Sequence, residues 1–152
     1  MISEFNYTNP DQAVAAIILQ AEKDRQWMRR VVQYAPVPEM FTELKGLLTY
    51  ADDPNGIELI QRPRTLLSNL NELGAPGRGD CDDFTTLAVS AAMAYNIPAR
   101  IVLAGRSKKT PVHVYAQLYD NFSSKWYDFD LTAPEVDTIK YYPYKQIIDV
   151  IG

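Results

Sequence analysis

The feature that most constrains this chain is a change of hydrophobic period at "NIPARIV", around Pro98. Upstream, over "CDDFTTLAVSAAMAYN", Phe84, Leu87, Ala88, Ala91, Ala92 and Tyr95 recur at i, i+3, i+4 and i+7, which predicts a helix with one face in the core. Downstream, "ARIVLAG" is rich in branched residues, and "VHVYAQLYD" and "KWYDFDLT" alternate as strands do. "SKKTP" and "NFSS" supply the turns between them. Helices, one central helix and then an antiparallel meander make an α+β fold, not the βαβ alternation of a parallel sheet.

The first 75 residues read as helices between proline-bearing breaks. Asn9, Pro10 and Asp11 form a start signal, and the helix that follows is expected to stop near Pro36 and Pro38. Its apolar stripe of Val14, Ile17, Ile18, Ala21, Trp27, Met28 and Val31 reads as core packing, not as a docking face. "PEMFTELKGLLTY" is a second helix, "DDPNG" a turn, and "IELIQRPRTLLSNLNELG" one or two short helices ending at Gly74. "APGRG" is a loop that delivers the chain to Asp80. The expected organisation is one domain over 1–152: a helical part at 1–75, the chemistry-bearing motifs at 77–134, and a C-terminal extension at 135–152. The tyrosines of that extension either line a groove or close a sheet edge.

Charge and composition narrow the function. The net charge of -4 is spread over interspersed acidic and basic residues, so no field attracts nucleic acid or an anionic membrane. One cysteine forms no intrachain disulfide, and one cysteine with one histidine falls short of a four-ligand zinc site. The polar start "MISEFNYTNPDQ" and the lack of a membrane-length apolar run predict a soluble, cytoplasmic protein. Nothing in the sequence sets an oligomeric state.

The single cysteine, Cys81, stands among carboxylates in "GRGDCDDF". Negative charge beside a thiol raises its pKa. The same residues also mark a helix start: Asp80 is a good N-cap, and Asp83 three residues on completes an acidic capping pattern. A first-turn cysteine gains from the unpaired amides there, and at 100° per residue Asp82 and Asp83 are expected to project away from it. Cys81 is then either a small buried hydrophobe or an activated nucleophile. The only imidazole available as its base is His113, on one strand face with Tyr115, Gln117 and Tyr119. If Leu118 opposes Lys125 in a hairpin, His113 falls directly opposite Asp130, which could fix its tautomer. Taken alone, a strand histidine can equally fill a structural hydrogen bond.

Taken together, "GDCDDFTTLAVSAAMAYNIPARIVLAG", "VHVYAQLYD" and "KWYDFDLTAP" resemble the core of the transglutaminase-like superfamily. The shared marks are a glycine, one residue and a cysteine at a helix start, an "IPAR" segment after that helix, a histidine opening a strand, and a "W-x-x-x-D-x-T" strand. The resemblance implies a papain-like α+β fold with Cys81 as nucleophile, His113 as base and Asp130 as orienting carboxylate. It also implies thiol-dependent acyl transfer on a protein or peptide amide, with hydrolysis favoured because water is always present and an amine acceptor needs its own pocket. No cofactor is required, although the similarity to a bacterial branch with a "D-C-E-D" site makes Asp80 and Asp83 calcium candidates beside their capping role. The alternative is a catalytically silent module of this fold that binds protein, in a phage or prophage context. Asn96 replaces the usual glycine before "IPAR", and "VYAQ" after the histidine displaces the frequent aromatic to Tyr115. Trp27, Tyr50 and Gln61 are the upstream candidates for an oxyanion donor.

Overall fold

A computed structural model describes residues 10–51, 60–107 and 111–150. The "DDPNG" turn, the start of "IELIQ", most of "SKKTP" and Asn9 lie outside the described residues. Helix α1 (Pro10–Lys23) opens on Pro10 and Asp11, a proline where no helical N–H is needed and an acid at the positive end. It does not run on to Pro36. The chain leaves the helix at Asp24, whose buried carboxylate accepts from Arg62 Nε (2.9 Å), the Arg62 Nη2 and the backbone N–H of Arg64 (2.9 Å). Those partners lie some forty residues away, so the break has no local signal. A single 3-10 turn, Trp27–Arg30, follows. It lets Arg25 Nη2 and Arg29 Nε reach the carbonyls of Met93 and Ala94 (2.9 Å each), placing cations at the C-terminal end of the central helix.

The second helix, α2 (Val37–Lys45), is also shorter than expected. "LLTY" becomes β1 (Leu48–Tyr50), which pairs in parallel with β2 (Gly77–Gly79), the segment read as a loop. Glycine makes this possible: a Cβ on Gly77 would lie 2.8 Å from both the Leu66 carbonyl oxygen and Leu67 Cδ2. Between the two strands, α3 (Pro63–Leu66) and α4 (Leu70–Leu73) are the two short helices, the second ending at Gly74 with φ 62°.

Helix α5 (Cys81–Ala94) is buried on every side, not on one face alone. Helix α1 covers one flank and the sheet another, and the helix's hydroxyls are satisfied internally. Ser90 donates to the Ala21 carbonyl (2.7 Å), Thr86 to Asp82 O (2.8 Å), and Thr85 to Cys81 O (2.7 Å). Polar groups paired in this way are not penalised for burial. Asn96 holds the left-handed conformation that ends the helix, with φ 55°. Strands β3 (Ala99–Gly105), β4 (Pro111–Asp120) and β5 (Lys125–Phe129) form the antiparallel meander, and β6 (Tyr144–Val150) adds on the far side of β3, giving the order β5-β4-β3-β6. The residues read as a C-terminal extension thus close a sheet edge. Val114, Ala116 and Leu118 face the main core with α5, while Tyr115 joins Val102, Ala104 and Tyr142 in a second cluster.

Candidate active site

Asp80 and Asp83 set where α5 begins. They form a capping box in which the Asp80 N–H donates to Asp83 Oδ2 (3.2 Å). Asp83 is then clamped from outside the helix by Gln61, whose backbone N–H reaches Oδ1 (2.8 Å) and whose Nε2 reaches Oδ2 (3.2 Å) and the Arg78 carbonyl (3.1 Å). Gln61, a candidate oxyanion donor from sequence, is therefore spent on the helix cap. Trp27 lies beneath the Arg64 guanidinium (5.8 Å), and Tyr50 packs on the ring of Phe84 (6.2 Å). The glycine two residues before the cysteine has a steric reason: a Cβ on Gly79 would sit 2.7 Å from Asp83 Oδ2 and 2.8 Å from Asp83 Cβ.

Cys81, thus fixed in the first turn, docks on β4 where β5 gives out. Pairing between β4 and β5 ends at Ala116–Phe129, two residues short of Val114. There α5 takes over the strand's partners: the Val114 N–H points at the Cys81 sulfur, and Thr85 Oγ1 approaches the Val114 carbonyl (3.2 Å) while bonding Cys81 O. One hydroxyl ties the turn that carries Cys81 to the residue that follows His113. No local sequence pattern marks Thr85 for this role.

His113 and Asp130 are in contact, Nε2 to Oδ2 at 2.6 Å, and both are buried. The register differs from the one expected. Gln117 opposes Asp128 and Asp120 opposes Lys125, a slide of two residues, so Asp130 meets His113 diagonally from beyond the end of β5. A two-residue slide keeps every side chain on its face, which is why the pair forms in either register. Asp130 Oδ1 accepts from the Thr132 N–H (3.0 Å) and Oγ1 (2.7 Å), turning the other oxygen to the ring. Burial raises the Asp130 carboxyl, but the bonds from His113 and Thr132 outweigh it and hold the group below its usual range, ionised. An acceptor-only carboxylate opposite Nε2 assigns the proton of the neutral ring to that nitrogen. Nδ1 then carries the lone pair, and it is buried with no hydrogen-bond partner among the described residues.

The surroundings of Cys81 favour the protonated thiol. Burial pushes Cys81 well above its ordinary value, the Val114 N–H opposes this, and the charges of Asp82, Asp80 and Asp130 add to it. Asp82 is thus not turned far enough away to be silent, a correction to the helix-start argument. Tyr142, from the segment before β6, closes the site: it is buried, its ring stacks on His113 (5.9 Å, 23°), and its hydroxyl is raised by burial and by the charge of Asp130. Tyr115 lies against the same imidazole at 5.8 Å.

With this geometry in place, similarity to known proteins becomes informative. Residues 59–131 match the Transglutaminase-like superfamily. That span holds Cys81, His113 and Asp130 and covers just under half of the chain. Among solved structures, a Cytophaga hutchinsonii protein provisionally named a cysteine protease aligns over 80% of this chain at 16% identity and TM-score 0.50. The likeness shows the shared fold, with a cysteine-bearing helix on an antiparallel sheet. The chain spans 43% of that protein's length. Legionella pneumophila LapG aligns in a calcium-bound form (15% identity, 87% of this chain and 69% of that one, TM-score 0.44) and in an EGTA-treated form (16%, 90% and 79%, 0.46). No curated protein matches the sequence. No helix among the described residues is long and apolar enough to cross a membrane.

The metal candidates can be tested on the donor set. Asp80 and Asp83 do come together, with Asp82 as a third member, each offering an oxygen within 4.8 Å of the others, and all three are buried. Hard oxygens in a group of negative charge suit calcium. Asp80 Oδ1 is buried with no hydrogen-bond partner among the described residues, whereas both oxygens of Asp83 already accept N–H bonds. Burial and the Asp80 charge raise Asp83 to about 7 against N–H bonds from Gln61 and Asp80.

Proposed function

We propose that this chain carries out thiol-dependent acyl transfer on a protein or peptide amide, with Cys81 as nucleophile, His113 as general base and Asp130 as orienting carboxylate. One observation carries the reading. His113 spends Nε2 on Asp130 at 2.6 Å and keeps a buried, partnerless Nδ1 next to the residue whose N–H meets the Cys81 sulfur. Because the surroundings favour the protonated thiol, its proton passes to His113 Nδ1 as the sulfur bonds to the amide carbonyl carbon, without a standing ion pair beforehand. Asp130 stabilises the imidazolium that results. Collapse of the tetrahedral adduct breaks the C–N bond, and the leaving amine takes the proton from Nδ1. Water, deprotonated by His113, then attacks the thioester carbonyl, and the carboxylate leaves as the thiol is restored. Hydrolysis is the reading preferred over amine transfer, because no second pocket for an amine is needed.

Iodoacetamide tests the proposal against a silent, protein-binding module of the same fold. The His113-assisted thiol is expected to react faster at neutral pH than the same cysteine in His113→Ala. Equal rates would remove the enzyme reading and leave the module.

A second reading concerns the carboxylates, and the partnerless Asp80 Oδ1 favours it. A calcium ion held by Asp80 and Asp83 would supply charge compensation at the first turn of α5 and no step of the reaction. Titration calorimetry with calcium chloride separates the readings: heat lost in Asp80→Asn supports the ion, and no heat with no rise in melting temperature leaves capping as the whole role.

A further inference from the structure

Asp130 acts from a turn and not from a strand, so something must hold that turn. Strand β5 has ended at Phe129, the Ala133 N–H donates to the Asp130 carbonyl (2.9 Å), and Thr132 orients the carboxylate from within the same turn. The tie to the rest of the molecule comes from α2. Lys45, its last residue, sends its ammonium 2.8 Å to the carbonyl of Leu131. The side chain is half-buried at the edge of a cleft of about 360 Å³, between Phe41 and Thr42 of α2 and Pro134 and Val136 of the segment after the turn. Burial lowers the Lys45 pKa while the Asp130 charge raises it, so the cation stands within electrostatic reach of that carboxylate. The other groups that share its field are His113 from β4, Cys81 from α5, and Tyr115 and Tyr142, both raised by its charge.

We infer that Lys45 is a positioning residue: by holding the Leu131 carbonyl it fixes the turn from which Asp130 orients His113. The inference rests on the reading of His113 and Asp130 as base and orienter, but its readout does not. His113 is the only histidine in the chain, so its ring resonances are unambiguous. In the ¹⁵N-labelled full chain a bond of 2.6 Å should give one strongly downfield Nε2 proton. Lys45→Met is expected to move that proton upfield and speed its exchange with water. Lys45→Arg, which keeps a charged donor of sufficient reach, should restore it. Lys45→Gln, too short to reach Leu131, should behave as Lys45→Met does and covers the case in which the methionine variant fails to fold.

The excess alkylation rate of Cys81 should fall about tenfold in Lys45→Met, a fraction of what a well-placed base contributes. A wild-type Nε2 resonance in both Lys45→Met and Lys45→Gln would overturn the inference. If His113→Ala leaves alkylation unchanged, the acyl-transfer reading fails, and the resonance still decides the role of Lys45.

Discussion

The buried carboxylates before and after Cys81 predict an unusual pH dependence of stability, and Asp83 sets its size. Its carboxyl titrates near 7 in the folded chain against 3.8 ordinarily, chiefly because it is buried. Between those two values the folded state keeps a proton that the unfolded chain has released. Unfolding then releases a proton, so stability falls as pH rises, by about 1.4 kcal/mol per pH unit. The favourable contribution is complete below 3.8 and gone above about 7, a total on the order of 4 kcal/mol for one group. Asp130, held below its usual range, works in the opposite sense, but its loss sets in only as pH falls below the ordinary carboxylate value, outside this window. Urea denaturation at intervals from pH 4.5 to 8, on wild type and Asp83→Asn, measures the effect. The asparagine disturbs the Gln61 clamp at every pH alike, so that cost cancels when the slopes are compared. Wild type should lose stability across the interval relative to the variant, most steeply between pH 5 and 7. Parallel profiles would refute the argument and return Asp83 to an ordinary ionised cap.

Asp24→Ala should destabilise the fold by about 3 kcal/mol, as expected when charge-assisted bonds to a buried carboxylate are removed. The drop would appear as a lower urea midpoint with an unchanged slope, whereas an unaltered midpoint would show that the break after α1 is not held by this contact. Tyr142→Ala should raise the rate at which iodoacetamide modifies Cys81 severalfold, because the thiol is only 2% exposed and the ring lies over its neighbour His113. It should also cost about 3 kcal/mol of stability through the cavity it opens, and Tyr142→Phe should change neither quantity much.

What the sequence made legible follows a physical division between local and distant causes. Helix α5 was readable because its cap, its periodicity and its stop all lie between Asp80 and Asn96. The His113–Asp130 pair survived a register wrong by two because strand faces repeat every two residues, so parity alone decided whether the side chains could meet. The failures have distant causes. The break at Asp24 depends on Arg62 and Arg64, and β1 becomes a strand only because a glycine-bearing segment some thirty residues on lies alongside it.

The site itself joins both kinds. Cys81 sits in a turn that the sequence announces through its carboxylates. That turn is brought against Val114, the residue after His113, by the early end of β5, which frees the Val114 main chain for Thr85 and the sulfur. A strand longer by two residues would pair with Val114 and exclude α5 from it. Asp80, which caps that helix, adds its charge to the burial that raises the thiol, and from the turn after β5 Asp130 bonds the His113 ring. On this reading the chemistry depends less on a pre-ionised sulfur than on how firmly the helix turn, the end of β4 and the turn at Asp130 are tied to one another.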